Sequence, residues 1–272
     1  MKKCLGIVAL LSAFTCQVAS SQQNINSLID AEKSFASYAI EHNTRDAFLQ
    51  FMDSANALVF DNGNAIGAYT TWHKAAANTN KLIWQPAFAG IAQSGDLGFT
   101  TGPWEFRHSL ADSSLAAGNF TTIWHLNDKG EWKFLVDIGT EAGTVAWPVD
   151  SVKKWVGNAT DNNDPRDALT IDRIFMQQYA ALQNDAFKAV ITNNTWFNIP
   201  GQKPITGNDI VAMLTQIPNN LSFAPIGGGV SGAGDLAYVY GTVRHEAKIA
   251  NYLRVWHKSQ GKYTLLLQVL QW

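Results

Sequence analysis

Cysteine is almost missing from this sequence. The 272 residues include 2, Cys4 and Cys16, both within the first 21 positions. A chain cut after Ser21 would hold none, which excludes disulfides, thiolate zinc sites and cysteine nucleophiles together. Charge is scarce as well: 15% of residues are ionic, and 20 basic against 22 acidic side chains leave a formal net charge of −2. That balance offers no bulk attraction for nucleic acid or anionic lipid, so neither is expected as a partner. No His-x-His or His-Glu-x-x-His pattern occurs, and no carboxylate–histidine cluster suits a metal. Gly227-Gly228-Gly229 is not followed by Lys-Ser or Lys-Thr, so it is not a phosphate loop, and no cofactor is implied. What is plentiful is apolar: 46% hydrophobic residues and 10 Trp, enough for real cores and too rich for a disordered tail.

Residues 1–21 read as an export signal. Lys2 and Lys3 precede the apolar stretch Leu5 to Phe14, which is shorter than the roughly 20 residues of a membrane-spanning helix, so no membrane insertion is expected. Ala19 and Ser21 suit a cleavage site before Gln22, which predicts an exported protein, periplasmic or extracellular. Cys16 offers a rival lipoprotein reading, against which Ala13-Phe14-Thr15-Cys16 lacks the usual small residue before the cysteine. The sequons at Asn119, Asn158, Asn193 and Asn220 would matter only in a eukaryotic secretory pathway.

The chain is written twice. Leu82 to Leu97 lies without a gap on Leu221 to Leu236, so that Pro86 meets Pro225, Gly90 meets Gly229 and Gly95-Asp96-Leu97 meets Gly234-Asp235-Leu236. The same offset carries Asp46-Ala47-Phe48 onto Asp185-Ala186-Phe187. After a shorter connection in the second copy, Ile123-Trp124-His125 matches Val255-Trp256-His257. This repetition predicts two copies of one domain, at 22–139 and 167–272. Residues 140–166 then form a linker and strap, with the polar stretch Asn158 to Pro165 as the linker and with Val145 to Pro148 and Val152 to Val156 packing on the first domain.

Within each copy helices precede strands. Ile25, Leu28, Ile29, Phe35, Ala36 and Ala39 recur at helical spacing, and Asn43 or Thr44 can cap a second helix near Asp46. A short strand at 57–60 and a third helix at 68–77 follow, then long strands near 82–93, 97–108, 118–126 and 131–138. The class is α+β, with about three helices beside a mainly antiparallel sheet.

Trp84-x-Pro86, Ser94-Gly-Asp-Leu-Gly-Phe-Thr-Thr-Gly102, Gly118-Asn-Phe-Thr-Thr-Ile-Trp124 and Gly130-Glu-Trp-Lys-Phe-Leu-Val-Asp137 together resemble the SnoaL-like group of the nuclear transport factor 2 superfamily, in its secreted bacterial branch of unknown function. The second copy keeps Gly-Asp-Leu and Val-Trp-His but has Gly261-Lys-Tyr-Thr264 where the first has Gly130-Glu-Trp-Lys133. The resemblance implies two tandem cones, each a curved sheet wrapped around helices and an apolar pocket. The superfamily holds isomerases, dehydratases and hydrolases as well as non-catalytic members, and a fold does not choose among them.

Asp137 lies in an apolar strand, on the Lys133 and Leu135 side if alternation is regular, and a carboxyl there needs a partner or a raised pKa. It is the candidate general base, with Tyr38 or His125 as acid or orienting group. The competing reading is a structural contact to backbone or to a domain interface. Gln268 replaces Asp137 in the second copy, which confines acid–base work to the first. Tyr38, Trp84 and Trp104 are candidate walls for a ligand, with plain core packing as the competing reading. Asp96 and Asp235, each after a glycine, are read as turn residues that hold nearby backbone N–H groups. The final strands are apolar on both faces, with Trp132, Phe134, Val136 and Ile138 assigned to one side and Leu135 to the other. They therefore predict sheets packed back to back as an internal pseudo-dimer. The leading expectation is an exported binder of a small, mostly apolar molecule in the first domain. The alternatives are an isomerase, dehydratase or hydrolase using Asp137, and a non-catalytic scaffold.

Overall fold

The computed structural model describes residues 25–143, 145, 147–158, 167–259 and 261–272. The segment read as an export signal, with Cys4 and Cys16, and residues 159–166 of the polar stretch lie outside the described residues. Helix α1 (25–41) buries Ile25, Leu28, Ile29, Phe35, Ala36 and Ala39, the stripe its spacing predicts. Helix α2 (Thr44–Phe51) starts where the Asn43 side chain accepts from Asp46 N at 2.9 Å, satisfying a donor the helix itself leaves free. Helix α3 spans Ala68–Lys74.

The first sheet holds β1 (Leu58–Asp61), β2 (Asn64–Gly67), β3 (Lys81–Trp84), β4 (Phe88–Ile91), β5 (Leu97–Arg107), β6 (Ala116–Leu126), β7 (Trp132–Ala142) and β8 (Lys153–Val156). Their order is β2-β1-β7-β6-β5-β4-β8, with β3 also paired to β5. The strand expected over 82–93 is interrupted at Gln85-Pro86-Ala87, since proline has no N–H to give to the ladder. β7 continues to Ala142 and β8 pairs with β4, so residues 140–142 and 153–156, assigned to linker and strap, are part of this sheet.

The second half has α4 (Ala168–Leu182), a 3₁₀ turn at Gln183–Ala189, β9 (Trp196–Asn198), β10 (Ile205–Thr206), α5 (Asp209–Met213), β11 (Ser222–Val230), β12 (Leu236–His245), β13 (Lys248–Ser259) and β14 (Lys262–Leu270). Its sheet order is β10-β9-β14-β13-β12-β11. The three helices expected here reduce to one long helix, a five-residue helix and 3₁₀ turns. Where the first half has a capped α2, the second has Asp185-Ala186-Phe187 in the 3₁₀ turn; Ala186 and Phe187 are still buried, so packing is kept without the helix.

A β-bulge decides which way the last strand faces. Ile123 pairs with Val136 while Trp124 pairs with Phe134, so Leu135 has no partner across the ladder. One extra residue inverts every side chain beyond it. Trp132 and Phe134 therefore join the core around α1, whereas Val136 and Ile138 turn outward to the other sheet. This corrects the assignment of all four to one face, and it puts Asp137 on the face of Phe134. β14 repeats the device: Val255 pairs with Leu267 and Trp256 with Leu265.

The outward faces of the two sheets share one apolar cluster. Phe88, Leu97, Phe99, Ile123, Val136 and Ile138 meet Leu236, Tyr238, Leu253, Val255, Leu267 and Val269. At its end the two Gly-Asp-Leu turns exchange hydrogen bonds. Gly232 N donates to Asp96 Oδ2 at 2.8 Å, and Gln93 N donates to Asp235 Oδ2 at 2.9 Å. The backbone groups these aspartates hold thus belong to the opposite copy rather than to their own turn alone.

Candidate functional site

The helix-facing side of the first sheet encloses a cavity of about 350 Å³. Phe35 and Phe48 line it from the helices, and Trp84, Trp104 and Phe120 from the strands. Trp72 of α3 stacks on Phe48 at 4.1 Å between ring centroids and closes one side. Asp137, Gly139, Thr140 and Glu141 supply the β7 wall, so the lining carries two carboxyls and no Lys, Arg or His. Gly139 leaves the wall open, because a side chain there would stand in the space beside Trp104.

Asp137 sits in this wall because of the bulge at Leu135. Thr122 Oγ1, its cross-strand neighbour, donates to Asp137 Oδ2 at 2.9 Å. Burial raises the Asp137 carboxyl from 3.8 to about 7, the Thr122 hydrogen bond opposes that rise, and the nearby Glu32 adds to it.

Glu32 is the residue that sequence reasoning missed. It is fully buried on α1 and accepts from Trp84 Nε1 at 2.5 Å, from Trp124 Nε1 at 3.1 Å and from Thr100 Oγ1. Burial pushes its pKa upward against these hydrogen bonds. The signal was present, since position 32 falls on the apolar stripe of Leu28, Ile29, Phe35 and Ala36.

Trp84 and Trp104 line the cavity together with Asp137, whereas His125 and Tyr38 do not. His125 lies beyond the bulge, with Nε2 3.0 Å from Asp53 Oδ2. It follows Trp124, which points inward, so alternation turns the imidazole away. Tyr38 packs on His42 at 4.1 Å and edge-on to Phe51, half-buried at the margin of the core and outside the cavity lining.

The equivalent region of the second half is filled. Trp256 occupies the position of Trp124, and two residues earlier Arg254 stands where the first half has Thr122. Arg254 Nη1 meets both oxygens of Asp172 at 3.0 Å, and its Nε donates to Gln268 Oε1 at 2.8 Å. Tyr252 Oη and Trp256 Nε1 also donate to Asp172, at 2.9 and 3.1 Å. Leu270, wholly buried, holds the register position of Gly139: each pairs with the residue four before the tryptophan.

The chain therefore has an α+β architecture of curved sheets around few helices; the first half keeps an open, acidic cavity, while in the second Arg254 and Leu270 fill the register-equivalent space and a smaller cavity of about 220 Å³ lies instead beside Phe175 and Trp256. No protein-family model and no curated protein matches the sequence. Among solved structures it is similar to an NTF2-like protein of unknown function from Shewanella oneidensis MR-1, at 17% identity over 42% of this chain and 96% of that one, with a TM-score of 0.35. A ketosteroid isomerase-like protein from Erwinia carotovora atroseptica SCRI1043 shares 16% identity over 38% and 92%, with a TM-score of 0.32. An NTF2-like protein from Cytophaga hutchinsonii shares 14% over 37% and 91%, with a TM-score of 0.30.

Proposed function

We propose that the first half binds a small, mostly apolar molecule, with Asp137 holding its polar group. The observation that carries this reading is the cavity of about 350 Å³ walled by Phe35, Phe48, Trp72, Trp84, Trp104 and Phe120, with the Asp137 and Glu141 carboxyls on its β7 side. That size lies at the lower end of small-molecule sites, roughly 300–1,000 Å³, and aromatic walls with few polar groups are their usual chemistry. Export of the protein remains part of this reading, on the sequence of residues 1–21.

Proton transfer is the second reading, and the raised pKa of Asp137 favours it. A carboxyl that titrates at about 7 is divided between its two forms near neutral pH, so it can take a proton from a bound molecule or return one. Tyr38 and His125 do not share its cavity, so Asp137 would act with Thr122 as its positioning partner.

The test is thermal denaturation with 2-naphthol, a flat neutral probe with one hydroxyl, on the full chain and on Gly139→Leu, which copies the Leu270 plug. Wild type should gain melting temperature with probe concentration, and Gly139→Leu should not. Absence of a gain in wild type, or an equal gain in the variant, overturns the reading.

A further inference from the structure

The two halves answer the same architectural problem differently, and the difference identifies a ligand chemistry. In the second half the guanidinium of Arg254 lies 4.6 Å from the centre of the Phe175 ring, 4.3 Å from Phe223 and 4.3 Å from Tyr252. The register assigns each ring a counterpart. Tyr252 pairs with Gly241 and Leu270 as Phe120 pairs with Gly102 and Gly139, and Phe223 pairs with Val243 as Trp84 pairs with Trp104. On the helices, Phe175 follows Asp172 by the same interval as Phe35 follows Glu32. Phe35, Trp84 and Phe120 are all walls of the first cavity.

The polar partners correspond too. Asp172 accepts from Trp256 Nε1 as Glu32 accepts from Trp124 Nε1. Gln268 faces Arg254 across the ladder as Asp137 faces Thr122. Exchanging Arg254 for Thr122 removes the cation and keeps the aromatic rings and the helix carboxyl. Exchanging Gln268 for Asp137 then adds a second carboxyl. The first half is left with Asp137 and Glu141 in the lining, with Glu32 on α1 close enough to act on the Asp137 carboxyl, and with no basic residue in the lining.

We infer that the first cavity takes a molecule bearing a flat cationic group, an amidinium or guanidinium on an apolar body, seated among Phe35, Trp84 and Phe120 with its N–H groups on Asp137. Within this chain, Arg254 is the built-in counterpart of that ligand. A planar cation satisfies the ring faces and the carboxylate together, through cation–π attraction and charge-assisted hydrogen bonds. The inference rests on the proposed binding role of the cavity and specifies its ligand class.

The experiment compares 2-naphthamidine, a cation near neutral pH, with its neutral counterpart 2-naphthamide, by calorimetric titration of the full chain at pH 7.5. The amidine should bind roughly tenfold or more tighter than the amide, the advantage expected of a charge-assisted contact. Asp137→Asn, which keeps the shape of the side chain, should remove most of that advantage while leaving amide binding in place. Thr122→Arg, which rebuilds the second half's plug, should abolish binding of both while retaining the native circular dichroism; if that variant does not fold, the Asp137→Asn comparison decides alone. Equal binding of amide and amidine to wild type overturns the cation assignment and leaves the apolar cavity standing. Binding of neither overturns both. An amidine preference that survives Asp137→Asn unchanged overturns the role given to this carboxyl and with it the proposed seat.

Discussion

Arg254 and Asp172 form an ion pair inside the second half, with Nη1 at 3.0 Å from each carboxylate oxygen and both side chains wholly shielded from solvent. The pair stands where the first half keeps a cavity, and its chemistry is unforgiving. Removing one partner leaves an uncompensated buried charge, which costs about 3–5 kcal/mol. Arg254→Met should lose stability on that scale in urea denaturation. Adding Asp172→Asn should recover part of the loss, since Asn carries no charge and still accepts from Tyr252 and Trp256.

Asp137 makes stability depend on pH with a definite sign. Its folded pKa of about 7 stands above the ordinary 3.8, so between those values the unfolded chain gives up a proton that the folded chain retains. Its contribution is complete below about pH 4, declines as pH rises towards 7, and changes no further above that. Glu32 and Asp235 are also raised by burial, so the wild-type curve alone is a sum. The difference between Asp137→Asn and wild type isolates the group. Melting temperatures taken from pH 4 to 8 should show the variant gaining on wild type up to about pH 7, then running parallel.

Glu32 should prove structural even under conditions where the cavity is empty. Glu32→Ala leaves the Trp84 and Trp124 indole N–H groups and the Thr100 hydroxyl without this acceptor, for a loss of at least about 2 kcal/mol. Glu32→Gln keeps one acceptor oxygen and should lose less. Equilibrium urea curves on both variants provide the comparison.

The exchanged turn contacts are not equal in depth. Asp235 is fully buried and also accepts from Ser231 Oγ at 2.9 Å, while Asp96 is half-exposed beside Ser94. Asp235→Ala should therefore cost about 1–3 kcal/mol and Asp96→Ala less than about 1. Because the apolar cluster between the sheets draws on both halves, wild type should unfold in one transition, with Trp fluorescence and circular dichroism coinciding. Two separated transitions would show that the shared cluster does not couple the halves.

Legibility differed from element to element. Helix α1 was readable because six apolar residues at helical spacing leave little choice of face, and the same stripe carried an unread anomaly at Glu32. The bulge at Leu135 was hidden for the opposite reason. Trp132, Phe134, Val136 and Ile138 are all apolar, and the two outlets for them, the helix core and the other sheet, are apolar too. A one-residue slip among such neighbours leaves the hydrophobic pattern unchanged while reversing the strand beyond it. Asp137 was therefore singled out for a sound reason and assigned to the wrong face. His125 and Tyr38 were grouped with it on chemistry, and alternation and helix geometry carried them elsewhere.

The linear pattern determined what repeats and what class of architecture results: two α+β units, because glycine turns, apolar alternation and matched Gly-Asp-Leu segments are local constraints that survive without knowledge of neighbours. The tertiary structure decided in which unit the space beside the Glu32 or Asp172 carboxyl opens against β7 or is filled against β14. That outcome depends on whether Thr122 or Arg254 projects between the same set of rings, on whether Gly139 or Leu270 closes the wall, and on a bulge that aims Asp137 inward. Each is a relation between strands and helices distant in the chain, and a side chain's space is defined only when those elements meet.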